Sequence, residues 1–187
     1  DVDTDDVHAF STSDSSATGG VFDLDPATGA WTYSINNANA SIQALGVGES
    51  LVEIFNVVIS DGTASVTSVV SITINGTNDL PSVTGNQLGL VIEDIATPAT
   101  GSIIANDVDV NDSLVYSGVN VPVYGSFNMT GADWTYSLNS SLPAVQALGV
   151  GQSLSEVITV LVEDGQGGSV TQAVTINITG ANDAPVV

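Results

Sequence analysis

The hexapeptide Gln-Ala-Leu-Gly-Val-Gly occurs twice without change, at residues 43–48 and 146–151, and it marks a duplication that runs along the chain. Gly20-Val21-Phe22 is answered by Gly125-Ser126-Phe127, and Trp31-Thr32-Tyr33-Ser34 by Trp134-Thr135-Tyr136-Ser137. Asp61-Gly62 is answered by Asp164-Gly165, and the run from Ile74 to Pro81 by the run from Ile178 to Pro185. The spacing stays within 103–106 residues. A period that steady means two copies of one domain-sized module. We divide the chain into a first repeat at 1–80 and a second at 81–187. They meet at Asn78-Asp79-Leu80-Pro81, where Pro81 fixes its own φ and restricts Leu80. The first copy has no counterpart of residues 82–106, so it is expected to be an N-terminally truncated module from a longer array.

Each module reads as all-β. Val70, Ile72 and Ile74 alternate with Ser71, Thr73 and Asn75, and Val174, Ile176 and Ile178 alternate with Thr175, Asn177 and Thr179. A period of two marks a strand with one buried face. Leu51–Ser60 and Leu154–Glu163 are rich in Val and Ile, and each leads through Asp-Gly, a hairpin signal, into the alternating strand. Helical periodicity is confined to one short turn per repeat, at 41–45 and 143–148. About seven strands per 100 residues predict two immunoglobulin-like β-sandwich domains end to end. Trp31 and Trp134 are expected to anchor the two cores, with Phe22 and Phe127 beside them.

Charge sets the second constraint. The 187 residues include 21 Asp and Glu but no Lys or Arg, for a net charge of -21, while 43% are hydrophobic. A chain this apolar can bury a core, unlike a disordered acidic tail. It lacks the basic footprint for nucleic acid and the cations for anionic lipid. No apolar run is long enough to span a bilayer, and no signal peptide is evident. Without Cys there is no disulfide, thiol nucleophile or thiolate metal site.

The carboxylates cluster. Asp107, Asp109, Asn111 and Asp112 open the second repeat, and Asp1, Asp3, Asp5 and Asp6 are their counterparts in the first. Glu93 and Asp94 end an apolar run, Glu163 and Asp164 sit at the last hairpin, and Asn182 and Asp183 lie at its end. Sandwich loops gather at two poles. We expect Asp61, Asn78 and Asp79 at the far pole of the first repeat, and Asp107, Asp109 and Asp112 at the near pole of the second. Hard oxygen donors in this number suit Ca²⁺, which takes six to eight of them. The cluster is not an EF-hand, because the Gly and Glu of that loop are missing. Asp14, Asp23, Asp25 and Asp133 are expected to be solvated loop acids, and Glu49, Glu53 and Glu156 to face solvent. His8, the single His, is expected at the surface.

The ordered pattern Gly-x-Phe, Trp-Thr-Tyr-Ser, Gln-Ala-Leu-Gly-x-Gly-x-Ser-Leu, Asp-Gly and Ile-x-Gly-x-Asn-Asp-x-Pro resembles the VCBS-type repeat. That family comprises cadherin-like sandwiches strung in tandem through very large bacterial surface and secreted proteins. Many of these are repeats-in-toxin adhesins exported by type I secretion. The resemblance implies an extracellular structural extender, stiffened by Ca²⁺ at its joints, that supports cell adhesion and biofilm formation. Its partners would be neighbouring repeats of the same array. It further implies that Asp61, Asn78, Asp79, Asp107 and Asp109 serve one joint. Glu93, Asp164, Asn182 and Asp183 would serve the next, and Asp1 and Asp3 a preceding one.

Rival readings are an enzyme, a sugar-binding module and a filament. Catalysis is disfavoured, because the densest acids occur twice and His8 has no counterpart. Ca²⁺-dependent carbohydrate binding would use unrepeated aromatics, of which Tyr116 and Tyr124 are the candidates. Self-assembly by strand exchange between chains would show as an open strand edge in the first repeat.

Overall fold

The computed structural model describes residues 6–185 apart from Ser16. They fall into two compact units, Asp1–Asp79 with Val108–Asn111, and Leu80–Asp107 with Asp112–Val187. The first unit is built from β1 (Ala9–Thr12), β2 (Gly20–Leu24), β3 (Trp31–Ile35), α1 (Ala40–Gln43), β4 (Ser50–Ser60) and β5 (Ser65–Asn75). Its strands form one sheet in the order β1-β4-β5 and a second of β2 and β3. β4 and β5 pair along their whole length, from Ser60 opposite Ser65 to Ser50 opposite Asn75. Eleven residues at about 3.4 Å each span roughly 35 Å, so this hairpin runs from one end of the unit to the other. The expected Asp-Gly turn closes it, with Gly62 at φ +94°, a backbone region that favours glycine.

The second unit repeats these elements and adds four. β6 (Ser82–Thr84), β7 (Gln87–Ile92), β8 (Ala99–Ser102) and β9 (Ile104–Asn106) come first. β10 (Val115–Gly118), β11 (Gly125–Thr130), β12 (Asp133–Leu138), α2 (Pro143–Gln146), β13 (Ser153–Glu163) and β14 (Ser169–Thr179) then follow the order of the first unit. The sheets run β10-β13-β14-β7 and β11-β12-β8, with β6 and β9 as a separate pair. β7 lies parallel to β14, and β8 antiparallel to β12. Together these strands make the all-β sandwich that the alternating pattern predicts.

The added strands decide how well each core is covered. In the second unit Val174, Ile176 and Ile178 of β14 are fully buried, and so are Trp134 and Tyr136 of β12. Gly101 lies directly across from Trp134, and the indole packs on its bare backbone. Gln87 Oε1 accepts the indole N–H at 3.1 Å. The first unit has the same inward residues with less over them. Phe22, Phe55 and Val57 form its buried cluster, with Phe22 stacked on Phe55 at 4.4 Å. Trp31, however, is 46% exposed, whereas its counterpart Trp134 is 1% exposed. The expectation that both tryptophans anchor cores therefore holds for Trp134 alone. Among the described residues nothing pairs with the outer edge of β3 as β8 pairs with β12.

A second correction concerns the strand glutamates. Glu53 is buried rather than solvent-facing, and Glu156 and Glu49 are half-buried. Glu53 accepts the Gly19 N–H at 2.5 Å and the Tyr33 hydroxyl at 2.6 Å. Glu156 repeats the arrangement, accepting the Tyr136 hydroxyl and the N–H groups of Val123 (2.7 Å) and Tyr124 (3.4 Å). The carboxylate ties the loop before β2 or β11 to the second strand of that hairpin. The alternating pattern masks this, because an acid on a strand reads as an outward residue. A buried acceptor of this kind needs donors, and here a phenol and backbone amides supply them.

Two outcomes follow. A Cβ at position 101 would stand 2.5 Å from the Trp134 ring. Gly101→Val should therefore cost about 1–3 kcal/mol in urea unfolding, while the exposed neighbour change Thr100→Val should stay within about 0.5 kcal/mol. The Tyr33 phenol is pushed up from 10.0 to about 12, chiefly by burial and then by its bond to Glu53 and that group's charge. The neutral phenol is the folded form. Its share of stability is thus intact below about pH 10 and is lost as pH rises toward 12. Denaturation midpoints should fall across that window in the parent chain, and the fall should be shallower in Tyr33→Phe.

Candidate metal centre

Asp107 follows β9, Asp112 ends the turn that comes after it, and Asp164 is the first residue beyond β13. One carboxylate oxygen from each lies within 4.8 Å of the other two. All three residues belong to the second unit. Asp164 is 1% exposed, and Asp107 and Asp112 are half-buried. Asp164 is held by its own loop, where its Oδ1 accepts the N–H groups of Gln166 (2.7 Å) and Gly168 (3.0 Å). Gly165 (φ +84°) and Gly167 (φ +108°) give that loop the left-handed turns it needs to wrap back. The Asp164 carbonyl accepts the Ser113 N–H at 3.4 Å, which ties the Asp112 segment to the hairpin tip.

Three carboxylates this close repel one another by about 3 kcal/mol per pair at an effective dielectric of 20, before solvent screening. No Lys or Arg exists to relieve that repulsion. Asp107 Oδ2 and Asp112 Oδ2 are both shielded from solvent. The donor set is all hard oxygen, with no nitrogen or sulfur. That chemistry fits a hard divalent cation, with carbonyls and water completing the shell, and suits Ca²⁺ in particular.

A second gathering of acids and amides lies in the first unit. The Asp79 N–H donates to Asp109 Oδ2 at 2.8 Å. Asp109 is 3% exposed and packs on Gly46. The Asn78 side-chain amide donates to the Asp79 carbonyl at 2.7 Å, and Asn78 Oδ1 and Asp109 Oδ1 are both buried. Glu49 accepts the Gly46 N–H at 3.0 Å and also the Asn111 side-chain amide.

A third lies in the second unit, at the end remote from Asp164. Glu93 is fully buried, accepting the Ala181 N–H at 3.1 Å and the Gln146 side-chain amide at 3.4 Å. Asp94 beside it has φ +62°, a strained value that Asp tolerates better than most residues. Asn182 repeats the habit of Asn78, its amide donating to the Asp183 carbonyl at 3.1 Å, but Asn182 and Asp183 are exposed.

The expected grouping of acids by pole needs one correction in each unit. Asp61 sits at the hairpin tip, while Asn78 and Asp79 follow Asn75 at the opposite end of the same hairpin. Asp164 is likewise remote from Asn182 and Asp183, and it joins Asp107 and Asp112 instead. The reason is length: an eleven-residue hairpin carries its tip across the whole unit. Asp61 keeps the turn role of its residue type. Its Oδ1 accepts the N–H groups of Thr63 and Ala64, both at 2.6 Å. Those bonds, with the charge of His8, hold its carboxyl below the usual range. Asp1 and Asp3 lie outside the described residues. Glu49 is the participant that the sequence reading missed, and its only signal was its place beside the repeated Gly-x-Gly. Tyr116 and Tyr124, the candidate sugar platform, pack against the core of the second unit.

The comparisons with known proteins agree with this architecture. Human protocadherin-24, in a structure of its EC1-2 region, aligns with a TM-score of 0.56 and 19% identity, over 98% of this chain and 85% of that one. Mouse cadherin-23 EC22-24 aligns at 0.52 and 14%, over 95% of this chain and 53% of that one. Drosophila N-cadherin EC1-4 aligns at 0.53 and 17%, over 97% and 44%. At such identities the likeness shows the fold, a cadherin-like β-sandwich. No curated protein matches the chain in sequence. Among the described residues no helix is long and apolar enough to cross a membrane. Residues 78–180 match the bacterial cadherin-like domain, and the chain belongs to that family.

Proposed function

We propose that the chain is part of a calcium-stiffened extender, a non-catalytic module of a large bacterial adhesin of the repeats-in-toxin type, built of VCBS-like repeats. In this reading it works outside the cell after type I secretion. It joins neighbouring repeats of its own array and supports adhesion and biofilm formation. The observation that carries the proposal is the convergence of Asp107, Asp112 and Asp164 in a chain without Lys or Arg. These three residues would hold Ca²⁺ in the second unit. Asn78, Asp79, Asp109 and Glu49 would offer oxygen donors in the first, and Glu93, Asn182 and Asp183 at the remote end of the second. The bound ion would turn mutual repulsion into attraction and fix loops that otherwise push apart. Membership of a bacterial cadherin-like family supports a structural role.

Thermal unfolding in excess Ca²⁺, in excess Mg²⁺ and in chelator tests the proposal. At 100 times its Kd, Ca²⁺ should stabilise each site by about 2.7 kcal/mol, or on the order of 10 °C for a module of this size. Mg²⁺ should do much less, since it prefers a smaller octahedral shell. Asp107→Asn should raise the midpoint in chelator, by relieving repulsion, and lose most of the Ca²⁺ increment. Equal midpoints in all three solutions would sink the clamp and leave these acids as turn residues.

A further inference from the structure

Six Asn-x-Ser/Thr triplets lie along the chain, at Asn39, Asn75, Asn111, Asn128, Asn139 and Asn177. Such a triplet can accept a sugar on the asparagine side chain, and it belongs on a surface loop. The structure sets five of them aside. Asn75, Asn128 and Asn177 stand in β5, β11 and β14, paired with Ser50, Thr135 and Ser155. The Asn39 side-chain amide is committed to the Thr18 carbonyl at 2.7 Å, and that of Asn111 to Glu49.

Asn139 is different. It follows β12 in a turn, and both it and Ser141 are exposed. Its Oδ1 accepts the Ser141 hydroxyl at 2.6 Å and the Ser141 N–H at 3.2 Å. Among the described residues no acceptor holds its Nδ2. The backbone is pinned on both sides. The Asn139 N–H donates to the Tyr124 carbonyl at 2.9 Å, and the Asn139 carbonyl accepts the Leu142 N–H at 3.3 Å. The first unit holds the same turn without the hydroxyl. There the Asn36 N–H donates to the Gly19 carbonyl at 2.7 Å, and the Asn36 carbonyl accepts the Asn39 N–H at 3.0 Å. Asn36 Oδ1 accepts the Ala38 N–H at 3.2 Å, and Ala38 stands where the second unit has Ser141. The duplication thus supplies one acceptor turn and one blank.

We propose that Asn139 is an N-glycosylation site, which takes a sugar from a diphosphate-activated donor on a sequon-specific transferase. Nδ2 attacks the anomeric carbon, and the new carbon–nitrogen bond forms as the carbon–oxygen bond to the diphosphate breaks. The diphosphate leaves with that electron pair, and one Nδ2 proton passes to a base of the transferase. A carboxamide nitrogen is a poor nucleophile, because its lone pair is delocalised into the carbonyl. Loss of the proton puts negative charge on Oδ1. The two Ser141 donors already point at that oxygen, so the turn is organised in advance for the charge that develops. Asn36 has one such donor and lacks the hydroxyl.

The test uses the full folded chain in two arms. One supplies UDP-glucose with a soluble sequon-specific transferase, and the other a lipid-diphosphate oligosaccharide with a membrane transferase. Mass spectrometry of peptides cut at aromatic residues locates the sugar, since a chain without Lys or Arg offers trypsin no site. Asn139 should be modified at least about tenfold faster than any of the other five asparagines. That preference should vanish when the chain is cut into peptides before the reaction. Ser141→Ala should slow transfer by at least about tenfold, as loss of a donor to a developing oxyanion does, and Ser141→Thr should keep it. Ala38→Ser should gain a sugar at Asn36. The arm that gives product identifies the carrier of the donor sugar. A bare Asn139 in both arms would overturn the proposal, as would an undiminished rate in Ser141→Ala or an equal rate at Asn177. So would an Ala38→Ser chain that stays bare at Asn36 while Asn139 carries sugar.

Discussion

Every carboxylate buried among the described residues must be satisfied without Lys or Arg, and that constraint shapes the rest of the structure. Glu53 and Glu156 take a tyrosine hydroxyl and loop amides, Glu93 takes an amide and a glutamine, and Asp109 takes the Asp79 N–H. Asp164 takes two amides of its own loop. Each arrangement ties a loop or a strand end to a distant element. Acids therefore serve here as cross-links, a task that Arg and Lys share in most proteins. Neutral donors fix one carboxylate well, but they bring no net charge. Where three carboxylates meet, at Asp107, Asp112 and Asp164, neutral donors leave their net charge in place.

The duplication provides an internal comparison that few single chains offer. Tyr33 and Tyr136 hold the same partner in the same way, so that contact survives with or without β6–β9. Trp31 and Trp134 differ entirely, because an indole needs both a strand across from it and a bare backbone to lie on. The polar cross-link is thus local to β2, β3 and β4 and their counterparts. The aromatic anchor is a property of the completed sandwich.

Much of this was legible in the sequence. The period-two runs at Val70–Asn75 and Val174–Thr179, the Asp-Gly turns and the short helical turns all stand where the pattern puts them. The density of acids around Asp107 marks the stretch whose Asp107 and Asp112 converge with Asp164. The end of the unit on which each acid falls was not legible, because a hairpin tip and the residues after the hairpin are near in sequence and about 35 Å apart in space. Glu53 was misread because alternation records which face a residue occupies and not whether that face meets a donor. Trp31 was misread because a residue pattern does not reveal which strand is missing from its surroundings.

The placing of β7 beside β14 has a mechanical consequence. These strands are parallel neighbours, one near the start of the second unit and one at its end, and they are in register over six residues from Gln87–Val174 to Ile92–Thr179. Tension entering the unit through β7 and leaving through β14 draws the two along their axes in opposite directions. The bonds between them are then loaded together in shear, whereas an antiparallel hairpin pulled from its open end would yield one bond at a time. A sandwich wired in this way resists stretching at its termini before any ion is counted.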